Sequence, residues 1–241
     1  MSSHVLVLVG RGRYEDPWHD HAATAVRVLR VLDDLQVPVT VRSTFPDALA
    51  DATAESTALL VVAAGRGRVD PGFDGDDQAW VAFHARLAAL VAQGVPLLGL
   101  HQAANTFADS PTWARDLGGR WVPDRSWHPP IGQASFRAVD VDHPVTTGLA
   151  GVEAYDERYC DLEIDRRSHV LLTAEHEGRE HPVVWQAPGP GRVLYDGLGH
   201  DERSYESPSR SDLLRREIAW LLDASDGPRS RGRVRQTRRP E

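Results

Sequence analysis

The chain has a single cysteine, no lysine and no apolar run long enough to span a bilayer. The lone Cys160 excludes an internal disulfide and any all-cysteine metal site, so a metal, if held, must be held by histidine and carboxylate. No run approaches the ~20 apolar residues of a transmembrane helix. The opening MSSHVLVLVG also lacks a basic n-region and a small-residue cleavage site, so the expected location is the cytoplasm, with no membrane partner. All 27 basic residues are arginine, which points to a GC-rich genome and says little about function. Neither G-x-G-x-x-G nor G-x-x-x-x-G-K-[ST] occurs, and no nucleotide cofactor is expected.

With 241 residues and 41% hydrophobic content, the chain can bury the core of one α/β domain, expected over residues 1–223. The last sixteen residues, DGPRSRGRVRQTRRPE, hold six arginines against two acids and almost nothing apolar, so 224–241 reads as a disordered, arginine-rich tail. The remaining body carries 21 arginines against 33 carboxylates. An acidic body argues against DNA, where affinity comes largely from phosphate neutralisation.

Val5–Val9 is a continuous apolar run ending at Gly10, the pattern of a central parallel strand. Ala22–Leu35 and Gln78–Gln93 carry apolar residues at helical spacing, and Leu213–Leu222 forms a closing helix. Strands are expected at Val37–Val41, Ala58–Ala63 and Val95–Leu100. This alternation is the signature of a flavodoxin-like, doubly wound, mostly parallel sheet. The second half is richer in strands, expected antiparallel: Ala134–Val141, Tyr159–Ile164, Val170–Thr173, Val183–Gln186 and Arg192–Asp196, the last two joined as a hairpin through residues 187–191.

Chemistry-bearing residues fall where strands should end. WHDH at 18–21 follows the first strand, His101 sits where VPLLGL turns into HQAAN, DERY at 156–159 leads into an expected strand, and GLGHDE at 197–202 follows Asp196. Carboxyl edges of parallel strands are where open α/β sheets bind ligands. Two or three imidazoles with one carboxylate suit a borderline divalent ion such as zinc, or acid–base work on a sugar. LVLVGRGRYEDP at Leu6–Pro17 and VVAAGRGRVDP at Val61–Pro71 echo each other, and Arg11, Arg13, Arg66 and Arg68 could clamp an anionic or hydroxyl-rich ligand. Each site residue also has a bland reading: His19 or His21 as a helix N-terminal residue, Glu157 as a partner of Arg158 or Arg166, His200 as a helix-entry cap. Cys160 reads as a small core residue, and Trp18, Trp121 and Trp127 lie in loops where an indole could stack on a sugar. His4, His84, His143, His169, His176 and His181 have no convergent context.

Taken together, WHDH, GLH at 99–101, GGRWVPDRSWHPPIGQASFRAVDVDHPVTTGL at 118–149, YDERY at 155–159, HPVVW at 181–185 and GRVLYDGLGHD at 191–201 resemble the ThuA-like (trehalose utilisation) proteins, which share the class I glutamine amidotransferase-like fold. The resemblance spans nearly the whole chain to about Asp223. It implies a histidine, His101, at the elbow where related amidotransferases hold a catalytic cysteine, and hence no glutaminase activity. It also implies a role in trehalose or keto-disaccharide catabolism by hydrolysis, elimination or isomerisation. On this reading His101 and Glu157 are catalytic, while His19 (or His21), His101, Glu157 and His200 are metal ligands, zinc first among the ions. Arg11, Arg66, Trp18 and Asp201 are expected to contact the carbohydrate substrate, and a homo-oligomer is compatible. The rival expectation is a non-catalytic sugar- or partner-binding module on the same fold. An amidotransferase-type hydrolase using Cys160 ranks last.

Overall fold

A computed structural model describes residues 3–223; the arginine-rich segment 224–241 lies outside the described residues. In chain order the strands are β1 (His4–Val9), β2 (Val39–Ser43), β3 (Thr57–Ala63), β4 (Leu97–Leu100), β5 (Gly119–Arg120), β6 (Gly132–Ala138), β7 (Gly151–Asp156), β8 (Glu163–Ile164), β9 (His169–His176), β10 (Arg179–Gln186) and β11 (Val193–Asp196). The helices are α1 (His21–Asp34), α2 (Pro71–Asp74), α3 (Asp77–Ala92), α4 (Trp113–Leu117) and α5 (Pro208–Leu222). Nine strands form one sheet in the order β2-β1-β3-β4-β11-β10-β9-β6-β7, and β5 pairs with β8 apart from it.

From β2 to β11 the sheet is parallel, and from β11 to β7 every pairing is antiparallel. Alternate residues of the central strands face opposite layers, because successive strand side chains point to opposite faces. Val5, Val7, Leu59, Val61 and Leu98 pack under α1 and α5, whereas Leu6, Leu8, Leu60, Val62 and Leu97 pack under α3 and α4. Hence β1, β3 and β4 read as continuous apolar runs. The edge strand β2 alternates between exposed and half-buried residues, because its successive side chains point to opposite faces and neither face is fully packed at the sheet's edge.

Helix starts follow from local chemistry. Asp20 caps α1 by accepting from Ala23 N at 2.9 Å, Asp76 caps α3 through Ala79 N at 3.0 Å, and Ser207 with Pro208 opens α5. Two sequence expectations fail in the second half. Tyr159–Ile164 is not a strand: only Glu163–Ile164 pairs as β8, with a single bridge between Cys160 and Trp127. DERY therefore does not lead into a strand; it closes β7, a strand whose short, Glu-interrupted GVEAYD run has too weak an apolar alternation to stand out.

This correction matters for the site. Four successive antiparallel pairings restore the direction of β11 in β7, so the end of β7 points to the same rim as the ends of β1, β4 and β11. Three strands separate β7 from β11 in the sheet, yet their ends meet. The buried Asp156 carboxylate joins them, accepting from Gly199 N at 2.7 Å, His200 N at 3.0 Å and its neighbour Glu157 N at 2.9 Å, and from the Ser204 hydroxyl at 2.5 Å. The antiparallel half of the sheet thus curls back on the parallel half.

Candidate metal centre

His101 opens a 3-10 turn at the end of β4 with φ +43°, a left-handed conformation unusual for a residue with a side chain. Such a strained elbow lifts the side chain out of the strand and toward the rim. The turn can close because Gly99 has no Cβ: one there would lie 2.6 Å from Leu117 Cδ1 and 3.1 Å from Ala103 Cβ. The imidazole Nδ1–H donates to Gly197 O at 2.8 Å, which fixes the tautomer and leaves the Nε2 lone pair facing inward.

His19 is set in the same way. Its Nδ1 lies 3.0 Å from Asp16 Oδ1, an oxygen that also accepts from Trp18 N at 2.7 Å, so His19 Nε2 points at the centre. Burial opposes charge on Asp16, but its bonds to His19 and Trp18 outweigh this and hold the carboxyl below its ordinary range. Burial, with His101 and His200 adding to it, lowers the pKa of His19.

Around this centre the separations are 3.2 Å from His19 Nε2 to His101 Nε2, 2.9 Å from His19 Nε2 to His200 Nδ1, 3.4 Å from His101 Nε2 to Glu157 Oε2, and 3.3 Å from His200 Nδ1 to Glu157 Oε2. All four donor atoms lie within 4.8 Å of one another. A tetrahedral ion with bonds of about 2.0–2.1 Å separates its ligand atoms by roughly 3.3–3.4 Å. The four could therefore hold a metal ion.

Electrostatics point the same way. Glu157 is buried, and its Oε2 accepts no well-formed hydrogen bond although two imidazole nitrogens stand beside it. Burial alone would raise its pKa, but His101 and His200 outweigh burial and hold the carboxyl well below the carboxylate range. For His200 burial works against the charged form, yet Glu157 raises its pKa. A buried anionic oxygen among inward-turned lone pairs is stabilised only by a proton or a cation at the centre.

The sequence-predicted residues fare differently. His19, His101, Glu157 and His200 come together as expected. His21 does not join them: it is buried behind His19, their rings stacked 6.1 Å apart, and burial together with His19 lowers its pKa to about 4. Arg13 turns inward, contrary to expectation, with Nε and Nη2 on Asp74 and Nη1 on Asp77, so it braces the first loop and cannot clamp a ligand. Arg11 pairs with Glu15 at 2.8 Å, Asp201 accepts from Arg203, Trp18 is 80% exposed beside His19, and Arg66 lines a recess with Trp113 and Trp121. Glu157 pairs with neither Arg158 nor Arg166 but with imidazoles. The Cys160 thiol is buried and pushed up to about 11 by that burial, which suits a core residue.

Three participants carry no role in the sequence reading. Tyr159, fully enclosed, has its hydroxyl 2.9 Å from His101 Nε2, and burial keeps it protonated. Asp156 holds the β7 and β11 ends together. His128, from the SWHPP loop, places Nδ1 3.3 Å from Glu157 Oε1, the oxygen turned away from the cluster, with its own side chain 40% exposed. The only sequence signal for His128 is its presence in the long 118–149 motif.

A parallel-to-antiparallel α/β sheet with an imidazole at the β4 elbow defines a protein of the class I glutamine amidotransferase-like fold that lacks the cysteine nucleophile at that elbow. The ThuA family model, described as trehalose utilisation, matches residues 4–221, and the chain belongs to this family. Among solved structures it is similar to a ThuA-like protein from Parabacteroides merdae, with 18% identity over 91% of this chain and 90% of that one and a TM-score of 0.72. It is also similar to a ThuA-like protein from Bacteroides uniformis (15% identity, 94% and 95% covered, TM-score 0.67). A glutamine amidotransferase from Thermotoga maritima shares the fold at 12% identity, 92% and 99% covered, TM-score 0.59. No curated protein matches the chain by sequence.

Proposed function

We propose that this chain is a cytoplasmic, metal-dependent enzyme of carbohydrate catabolism that moves a proton on a sugar or keto-disaccharide, through hydrolysis, elimination or isomerisation. The single observation that carries the reading is the set of four inward-facing donor atoms, His19 Nε2, His101 Nε2, His200 Nδ1 and Glu157 Oε2, whose spacing suits one tetrahedral ion. Nitrogen-rich donors with one carboxylate favour zinc over magnesium or calcium. With four protein donors around it, such an ion would polarise a substrate oxygen or lower the pKa of a water only by taking that oxygen as a fifth ligand.

The chain's own residues supply the rest. Asp16 and the Gly197 carbonyl hold His19 and His101 with lone pairs inward. Glu157 holds one oxygen toward the cluster and the other toward His128 at 3.3 Å, which joins the buried centre to the exposed side of the rim. His128 is thereby the group that meets substrate and can take or return its proton. Trp18 and Asp201, the chain neighbours of His19 and His200, and Arg11 of the first loop are the residues proposed to contact sugar hydroxyls.

A second reading, a non-catalytic sugar-binding module with a structural ion, draws on the closure of the cluster: its four side chains are 4% to 15% exposed. Turnover separates the two. Zinc-loaded protein is expected to consume a keto-disaccharide, and His128→Ala to slow this roughly 10²-fold or more, the usual contribution of a proton-transfer group, while metal content is kept. No turnover in the wild type with substrate bound supports the binding module, whereas unchanged turnover in His128→Ala keeps the enzyme and removes His128 from the proton transfer.

A further inference from the structure

A recess opens beside the metal centre, lined by the turn that follows His101 (Ala104 to Ala108), by Trp113 and Trp121, and by Arg66 and Arg120. Trp121 links it to the surroundings of the cluster: its ring stands 5.0 Å from Tyr159, the buried residue that touches His101, and 6.2 Å from His128. A ligand lying along Trp121 thus has one end near His128, at the exposed side of the cluster, and the other near Arg66.

The two arginines are in different states. Arg120 is fixed by Glu163 at 2.8 Å. Arg66 is exposed at the lip and, among the described residues, meets no carboxylate, while Arg11 and Arg13 of the echoing loop are both paired. Arg68 of the same loop and Arg30, Arg86, Arg158 and Arg166 elsewhere also meet no carboxylate among the described residues, but of all these only Arg66 lines the recess. A guanidinium left without an internal partner beside a cleft is suited to a fork of hydrogen bonds to a carboxylate or phosphate.

We propose that the substrate is an acidic sugar, with its reacting carbon at the cluster, its ring along Trp121 and its anionic group on Arg66. This rests on the carbohydrate reading above and narrows it from neutral disaccharides to sugars bearing a carboxylate or phosphate.

Calorimetric titration of zinc-loaded protein with D-glucose, D-glucuronate and D-glucose 6-phosphate tests it, with metal content and keto-disaccharide turnover measured on the same sample. At least one acidic sugar is expected to bind about tenfold or more tighter than glucose. The arm that does so, glucuronate or the phosphate ester, identifies the anionic group. Arg66→Ala should abolish that preference with zinc content unchanged, whereas Arg86→Ala, which removes an equal charge from the exposed face of α3, should leave it intact. Equal affinity for all three sugars, binding of none, or a preference that survives Arg66→Ala overturns the proposal. If zinc and keto-disaccharide turnover persist in that case, the acidic-sugar assignment alone has failed; if both are lost, the carbohydrate reading has failed with it.

Discussion

His101 shows how one side chain can be aimed by several distant ones. Its φ of +43° costs of order 1 kcal/mol, and the conformation is held by the Gly197 carbonyl on Nδ1 and by Tyr195, whose hydroxyl donates to the His101 carbonyl at 2.8 Å. Asp16 does the equivalent for His19. Replacing Asp16 with alanine is therefore expected to weaken zinc binding roughly 10–100-fold, read by competition with a chromogenic chelator, while far-UV circular dichroism stays unchanged. His21 belongs to a different account. With its folded pKa lowered to about 4 by burial and by His19, the neutral form favours folding: its contribution is complete above the unfolded value near 6.5 and is lost as pH falls from there toward 4. Metal-free protein should lose up to roughly 3 kcal/mol over that interval, and His21→Asn should flatten the dependence in urea titrations at pH 7 and pH 4.5. Of these residues the sequence made His19, His101, Glu157 and His200 legible, because each follows a strand and carries donor chemistry. Tyr159 and His128 act through contacts across the fold, which spacing along the chain does not encode, whereas Asp16 reaches His19 from three residues away but carries no donor pattern of its own.

At the scale of elements, the site depends on how α5 and the curled half of the sheet are tied to β11. Arg210 of α5, wholly buried, pairs with Asp196 Oδ2 at 2.6 Å at the end of β11, donates to Leu198 O and lies over the Tyr205 ring. Burial, and next the Asp196 charge, raises the Glu217 pKa well above the carboxylate range, so Glu217 is the neutral member of the group. Asp196→Ala would strand a buried guanidinium and should destabilise the fold by about 3–5 kcal/mol in urea unfolding. A much smaller loss would mean that Tyr205 and Leu198 suffice for Arg210. The elements β1, β3, β4, β11 and the long helices were readable because continuous apolar runs and 3.6-residue spacing are local signals. Strand β7 was not, since its place is set by pairing with β6 and by the Asp156 network, neither of which is a local signal. The apolar residues of YCDLEI suggested a strand at 159–164, yet they pack into the layer beside α4 and β8 with almost no ladder bonding.

For the whole molecule, the sheet's reversal from parallel to antiparallel and back to a common strand direction brings four donors, spread over 182 residues of chain, to one point. A ligand that binds only the assembled rim stabilises the entire fold by mass action. Zinc at about a hundred times its dissociation constant should add roughly 2.7 kcal/mol and raise the melting temperature, and His200→Ala should cancel that gain. The most direct test of the centre is X-ray absorption at the zinc edge on protein loaded with one equivalent. The account expects three imidazole nitrogens and one oxygen at about 2.0–2.1 Å, with His101→Ala losing one imidazole shell. A spectrum free of imidazole scattering, or one unchanged by that substitution, would contradict it.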